Sequence, residues 1–117
     1  MRKINTKVRC VKRKLSKCDT VCKTYDEVQT AYADLLEKDD DIISFSCNVP
    51  FGDREDLKPF SSDFLCKKAN GDMMVRECVY RNKLGRPQVY NQLCQSKLYW
   101  NKRGVMDWGV VIDADKN

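Results

Sequence analysis

Two carboxylates on either side of a turn are the residues here whose types and spacing bear most directly on chemistry. Asp63 lies in Ser61-Ser62-Asp63-Phe64-Leu65 and Glu77 in Arg76-Glu77-Cys78-Val79-Tyr80, with Asn70-Gly71 between them. Asn-Gly is a strong hairpin signal, and a hairpin brings residues on its two strands side by side. A carboxylate pair of this kind suits a hard cation such as Mg2+ or Mn2+, which takes one or two carboxylates and several waters. Such an ion neutralises the charge that develops as a phosphodiester breaks. Strand alternation places residues 77, 79 and 81 on one face. Val79 can neither orient a water nor stabilise a phosphate, so Arg81 is the cation on that face that could assist, if the strand runs so far. The plainer reading stays open: Asp63 and Glu77 are two of 17 acids and could be ordinary strand charges.

The elements that must position this pair follow from pattern. Thr24-Tyr25-Asp26-Glu27 reads as a capping box, with the Thr24 hydroxyl on the Glu27 amide. Behind it Val28, Ala31, Tyr32, Leu35 and Leu36 form a helical stripe, which the acidic Asp39-Asp40-Asp41 run ends. Ile42 to Val49 predicts a strand stopped by Pro50, and residues 50–59 a polar surface connection. Phe60 to Lys67 and Met73 to Tyr80 predict the hairpin strands. Pro87 suits a first helical turn, opening a helix that carries Val89, Tyr90, Leu93, Cys94, Lys97 and Leu98 and ends before Gly104. Trp108 to Ile112 is a short continuous apolar run, as in a buried strand. The order α-β-β-β-α-β predicts a single α/β domain over residues 24–117, a mixed sheet with helices on its faces, preceded by an arm over residues 1–23.

That arm carries Arg2, Lys3, Lys7, Arg9, Lys12, Arg13, Lys14, Lys17 and Lys23 against the single acid Asp19, in a chain of net charge +5. A cluster of this kind suits phosphate neutralisation, so Arg2, Lys3, Arg9, Lys12, Arg13 and Lys14 are candidate nucleic-acid contacts; a merely solvated arm is the alternative. The absence of any histidine excludes Ser–His and Cys–His nucleophile pairs. No glycine-rich phosphate loop occurs, and no small-molecule substrate is expected. Trp100 and Trp108, with Tyr99, read as core. No apolar run approaches the roughly 20 residues of a membrane span, and no secretory leader opens the chain. Cysteines at 10, 18, 22, 47, 66, 78 and 94 are odd in number and irregular in spacing, which predicts reduced thiols in a cytoplasmic protein. Structural zinc usually draws on two close ligand pairs; Cys18 and Cys22 make only one, so none is expected.

The run from Leu35-Leu36-Glu37 into Asp41-Ile42-Ile43, the segment Asn48-Val49-Pro50-Phe51, and Ser61-Ser62-Asp63-Phe64-Leu65 carry a resemblance, together with Lys97-Leu98-Tyr99-Trp100 and Asp107-Trp108-Gly109-Val110-Val111-Ile112. Over about residues 24–113 the chain resembles the N-terminal domain of TnsA-type transposon endonucleases, within the PD-(D/E)XK nuclease superfamily. The resemblance implies a restriction-endonuclease-like fold that nicks DNA at transposon ends beside a partner transposase, using Mg2+ or Mn2+. Its site combines an acid from the first helix, an Asp, a Gln or Glu, and a Lys. These fall on Gln29 (with Glu27 half a turn away), Asp63, Glu77 and Val79. Two of the four positions are altered, and the DNA-binding domain that follows in the family is not among these 117 residues. Three readings result: a metal-dependent endonuclease with Asp63, Glu77 and Arg81; an inactive pseudo-nuclease that binds DNA or a transposase; and an interaction module without a DNA role.

Overall fold

The computed structural model describes residues 2–3, 9–51 and 60–113, with only the backbone of Arg2 and Lys3. The strands are β1 (Arg2–Lys3), β2 (Val11–Arg13), β3 (Cys22–Thr24), β4 (Ile42–Phe51), β5 (Phe60–Lys68), β6 (Met73–Cys78) and β7 (Asp107–Val111). The helices are α1 (Glu27–Lys38) and α2 (Pro87–Lys102). From α1 onward the order is the one expected, α-β-β-β-α-β, apart from a 3-10 turn at Arg81–Lys83. The fold is a mixed α/β arrangement. β4, β5 and β6 run antiparallel in succession and β7 lies parallel to β6. The short β1 pairs with Phe60 and Ser61 of β5. No described helix is long and apolar enough to cross a membrane.

The β5–β6 turn forms as the Asn-Gly signal predicts. Gly71 has φ +91°, the left-handed region a glycine enters without penalty. β4, by contrast, does not stop at Pro50: it continues to Phe51, with Pro50 opposite Ser61. β4 lies at the sheet edge, where a missing N–H costs no ladder bond. Most of the expected 50–59 connection lies outside the described residues.

Helix α1 starts two residues later than the capping box predicts. Thr24 is the last residue of β3, and its hydroxyl accepts the Thr30 O–H at 2.7 Å. The N-cap is Asp26, whose carboxylate accepts the Gln29 N–H at 2.8 Å, while Gln29 Oε1 accepts the Tyr25 N–H at 2.9 Å. The reciprocal pattern is therefore present with Asp26 and Gln29 as its members. The shift rotates the buried stripe to Val28, Gln29, Ala33 and Leu36 and leaves Leu35 exposed. Helix α2 buries Leu93, Ser96 and Trp100, while Tyr90, Cys94 and Leu98 from the expected stripe stay outside.

Two cores sandwich the sheet. On one face Val28, Ala33 and Leu36 of α1 meet Phe45, Phe64, Cys66, Met74 and Cys78. On the other, Trp100 packs with Phe51, Val75 and Val105, and with the part-buried Leu65, Tyr99 and Trp108. Residues 9–24 do not form a detached arm: β2 and β3 pair as a hairpin, and Phe45 of β4 donates its N–H to the Lys17 carbonyl at 2.9 Å. The boundary expected at residue 23 cuts through β3 of that hairpin.

Candidate functional site

The β5–β6 ladder ends at Phe64 opposite Arg76, and two side chains take over from the backbone there. Asp63 Oδ2 accepts the Cys78 N–H at 2.7 Å, and Glu77 Oε1 accepts the Asp63 N–H at 2.8 Å. Each carboxylate thus bonds to the other strand and closes the fork where β5 and β6 part. On β5, Phe64 packs toward α1, whereas Phe60 and the Ser62 hydroxyl, of the same parity, meet the α2 side. This change of face falls at Asp63. Opposite it, between the pairs Cys47–Phe64 and Val49–Ser62, stands Asn48 with φ +56°. Asn tolerates the left-handed region better than most residues.

Hydroxyls from α2 and β5 complete the surroundings. Ser96 donates to Glu77 Oε2 at 2.5 Å and accepts the Trp108 indole N–H at 3.0 Å. Ser62 accepts the Trp100 indole N–H at 2.8 Å and lies 3.5 Å from the Ser96 hydroxyl. Asp63, Glu77, Ser62 and Ser96 are all 0% exposed. Desolvation holds the Glu77 carboxyl above its ordinary range, reinforced by the Asp63 charge, while the Ser96 hydroxyl and the Asp63 amide oppose the shift. Trp100 and Trp108 are core residues with a polar task, and Ser96 is the residue that spacing did not single out. Its one signal was its place between Leu93 and Trp100 on the buried stripe of α2.

Gln29, where the resemblance puts a helix acid, joins the same region. Its Nε2 donates to Asn48 Oδ1 at 2.9 Å, and Asn48 Nδ2 donates to the Lys23 carbonyl at 2.7 Å. A fully buried neutral amide thus caps α1 and ties it to the bend of β4. Val79 is buried past the end of β6, with its N–H on the Val111 carbonyl at 2.9 Å. Arg81 does not share the Glu77 face: β6 stops at Cys78, and Arg81 begins the exposed 3-10 turn with its N–H on Asp113 Oδ1. The condition attached to its catalytic role therefore fails.

The pair offers a poor cradle for Mg2+ or Mn2+. Among the described residues, Cys78, Asp63 and Ser96 already donate to three of its four carboxylate oxygens. An octahedral ion needs several waters beside its carboxylates, and neither side chain has any surface open to solvent. Among the described side chains, no lysine or arginine donates to either carboxylate.

Of the candidate nucleic-acid contacts, Arg9, Lys12 and Lys14 are exposed. Arg13 turns inward, with its guanidinium 2.5 Å from Asp34 Oδ1 and 3.2 Å from the Thr30 carbonyl. Alternation explains the difference: Arg13 stands opposite the buried Cys22, whereas Lys12 stands opposite the exposed Lys23. The side chains of Arg2 and Lys3 lie outside the described residues. No family model and no curated protein matches the chain.

Proposed function

We propose that this chain is a restriction-endonuclease-like protein of the TnsA type that does not cut DNA, and that it binds DNA as a subunit beside a transposase in a mobile element. The observation that carries the loss of cutting is the state of the carboxylate pair. Asp63 and Glu77 are wholly buried and accept backbone and hydroxyl protons that close the β5–β6 fork. The element order, the mixed sheet, the bond of Glu77 to the Asp63 amide, and Asn48, held by Gln29 and in register with Asp63, support the nuclease-like ancestry. Val79 in place of a lysine and Gln29 in place of an acid support the loss.

DNA binding is supported by the outer face of the β2–β3 hairpin. Lys12 and Lys23 are directly opposite each other across its strands. Like charges in that position destabilise a strand pair, and a polyanion relieves the repulsion. Lys14 and Arg9 extend the exposed positive charge at either end of β2.

The test combines plasmid nicking in Mg2+ and in Mn2+ with duplex binding across a salt series. The expected result is no nicking, with affinity that falls as salt rises and a slope that shrinks by about 0.9 per phosphate contact removed in Lys12→Ala and Lys23→Ala. Nicking that disappears in Asp63→Ala would establish the endonuclease reading instead. Absence of binding at low salt would leave the interaction module.

A further inference from the structure

We infer that Cys18, Cys22 and Cys47 form a three-thiolate site for a thiophilic divalent cation of the zinc class, seated between the β2–β3 hairpin and β4. Cys18 lies in the connection between β2 and β3, Cys22 opens β3, and Cys47 is on β4. Sequence spacing supplies only the Cys18–Cys22 pair; pairing between the hairpin and the sheet edge supplies the third thiol. Cys18 bridges to Phe45, two residues before Cys47. The three sulfurs all lie within 4.8 Å of one another, and Cys18 Sγ is 3.6 Å from Cys47 Sγ.

Those separations come within about 1 Å of the ones a metal requires. Zinc–sulfur bonds of about 2.3 Å place sulfurs roughly 3.8 Å apart around a tetrahedral centre. Adjustments of no more than about 1 Å would therefore seat an ion on all three thiolates. Mutual approach of the sulfurs distinguishes this group from the other core cysteines. Cys66 and Cys78 lie in the same apolar core without joining such a cluster. Among the described residues, Cys18, Cys22 and Cys47 are the one group of three side chains able to hold a metal together. With three protein ligands, the fourth position falls to water or an outside ligand, as in zinc sites that keep an open position. The ion would fasten the hairpin to the sheet edge. This inference is independent of the DNA-binding proposal.

The test uses the reduced, metal-free full chain. Titration with Zn2+ is expected to saturate at one ion per chain and to raise Tm. Co2+ is expected to give thiolate-to-metal charge-transfer absorption, and the 113Cd resonance of the Cd2+ form to report three sulfur ligands. Cys18→Ser, Cys22→Ser and Cys47→Ser should each weaken Zn2+ binding by more than the 10–100-fold typical of losing an outer-shell partner. Cys94→Ser, at an exposed thiol outside the cluster, should bind as the wild type does. The cadmium spectrum of the wild type decides the matter even if a serine variant fails to fold. No uptake by the wild type, a cadmium shift of oxygen-ligand type, or Zn2+ affinity unchanged in all three variants would overturn the site.

Discussion

At the scale of single residues, Glu77 decides how the carboxylate pair behaves. An ionised carboxylate is costly to bury without compensation, and here Asp63 N–H and Ser96 O–H compensate only in part, so the Glu77 carboxyl stays above its ordinary value of 4.5. The folded state then holds a proton more tightly than the unfolded one. Its contribution to stability is greatest at or below 4.5 and declines as pH rises through the folded-state value. Glu77→Gln keeps an oxygen for the Asp63 amide and removes the ionisation. Denaturation across a pH series is expected to show the wild type losing stability upward from 4.5, with that slope flattened in the variant. An identical slope in both proteins would show that Glu77 titrates normally.

At the scale of elements, Asn48 sets the backbone of β4 in register with Asp63, and Asp107 ties β7 to β6 and β5. Asn48 combines φ +56° with two side-chain bonds, to Gln29 and to the Lys23 carbonyl. Asn48→Gly keeps the backbone conformation and loses the bonds; Asn48→Ala loses both. Alanine should be less stable than glycine by about 1–2 kcal/mol, the cost of a side chain in the left-handed region, measured by denaturant unfolding. Equal stabilities would remove backbone strain from the account.

Asp107 of β7 meets Arg76 of β6 at 2.7 Å and pairs with Lys68 at the end of β5. The Lys68 bond holds the Asp107 carboxyl below its ordinary 3.8, with Arg76 adding to the effect. A lowered acid contributes stability above 3.8 and loses it as pH falls through the folded-state value. Asp107→Asn should therefore destabilise at neutral pH by no more than about 1 kcal/mol, given the partial exposure of the group. The gap to wild type should close in acid; a gap constant with pH would point to lost packing instead.

Across the whole molecule, one sheet carries two cores, and the indoles of Trp100 and Trp108 both sit on the α2 side. Leu36 is 2% exposed in the opposite core. Leu36→Ala should cost about 2–5 kcal/mol. If the faces unfold as one unit, tryptophan fluorescence and far-UV circular dichroism should shift together. A fluorescence transition left in place would show that the two cores melt separately.

The α-β-β-β-α-β order, the Asn-Gly hairpin, the Pro87 helix start and the closeness of Asp63 to Glu77 were all legible in the chain, because turn chemistry and strand or helix period are local properties. Several other features were not. Asp26 displaced Thr24 as the cap because Thr24 was claimed by β3, and Arg13 left the basic face because its strand partner is buried. Ser96 looked like any polar helix residue until Glu77 lay beside it. Cys47 looked unrelated to Cys18 and Cys22 until β4 met the hairpin. The sequence by itself determined which elements form and which side chains carry charge or sulfur. Only the tertiary structure decided that the carboxylates close a strand fork in a dry interior and that Cys47 joins Cys18 and Cys22, because burial and convergence depend on which elements pack together, and residues far apart in sequence settle that.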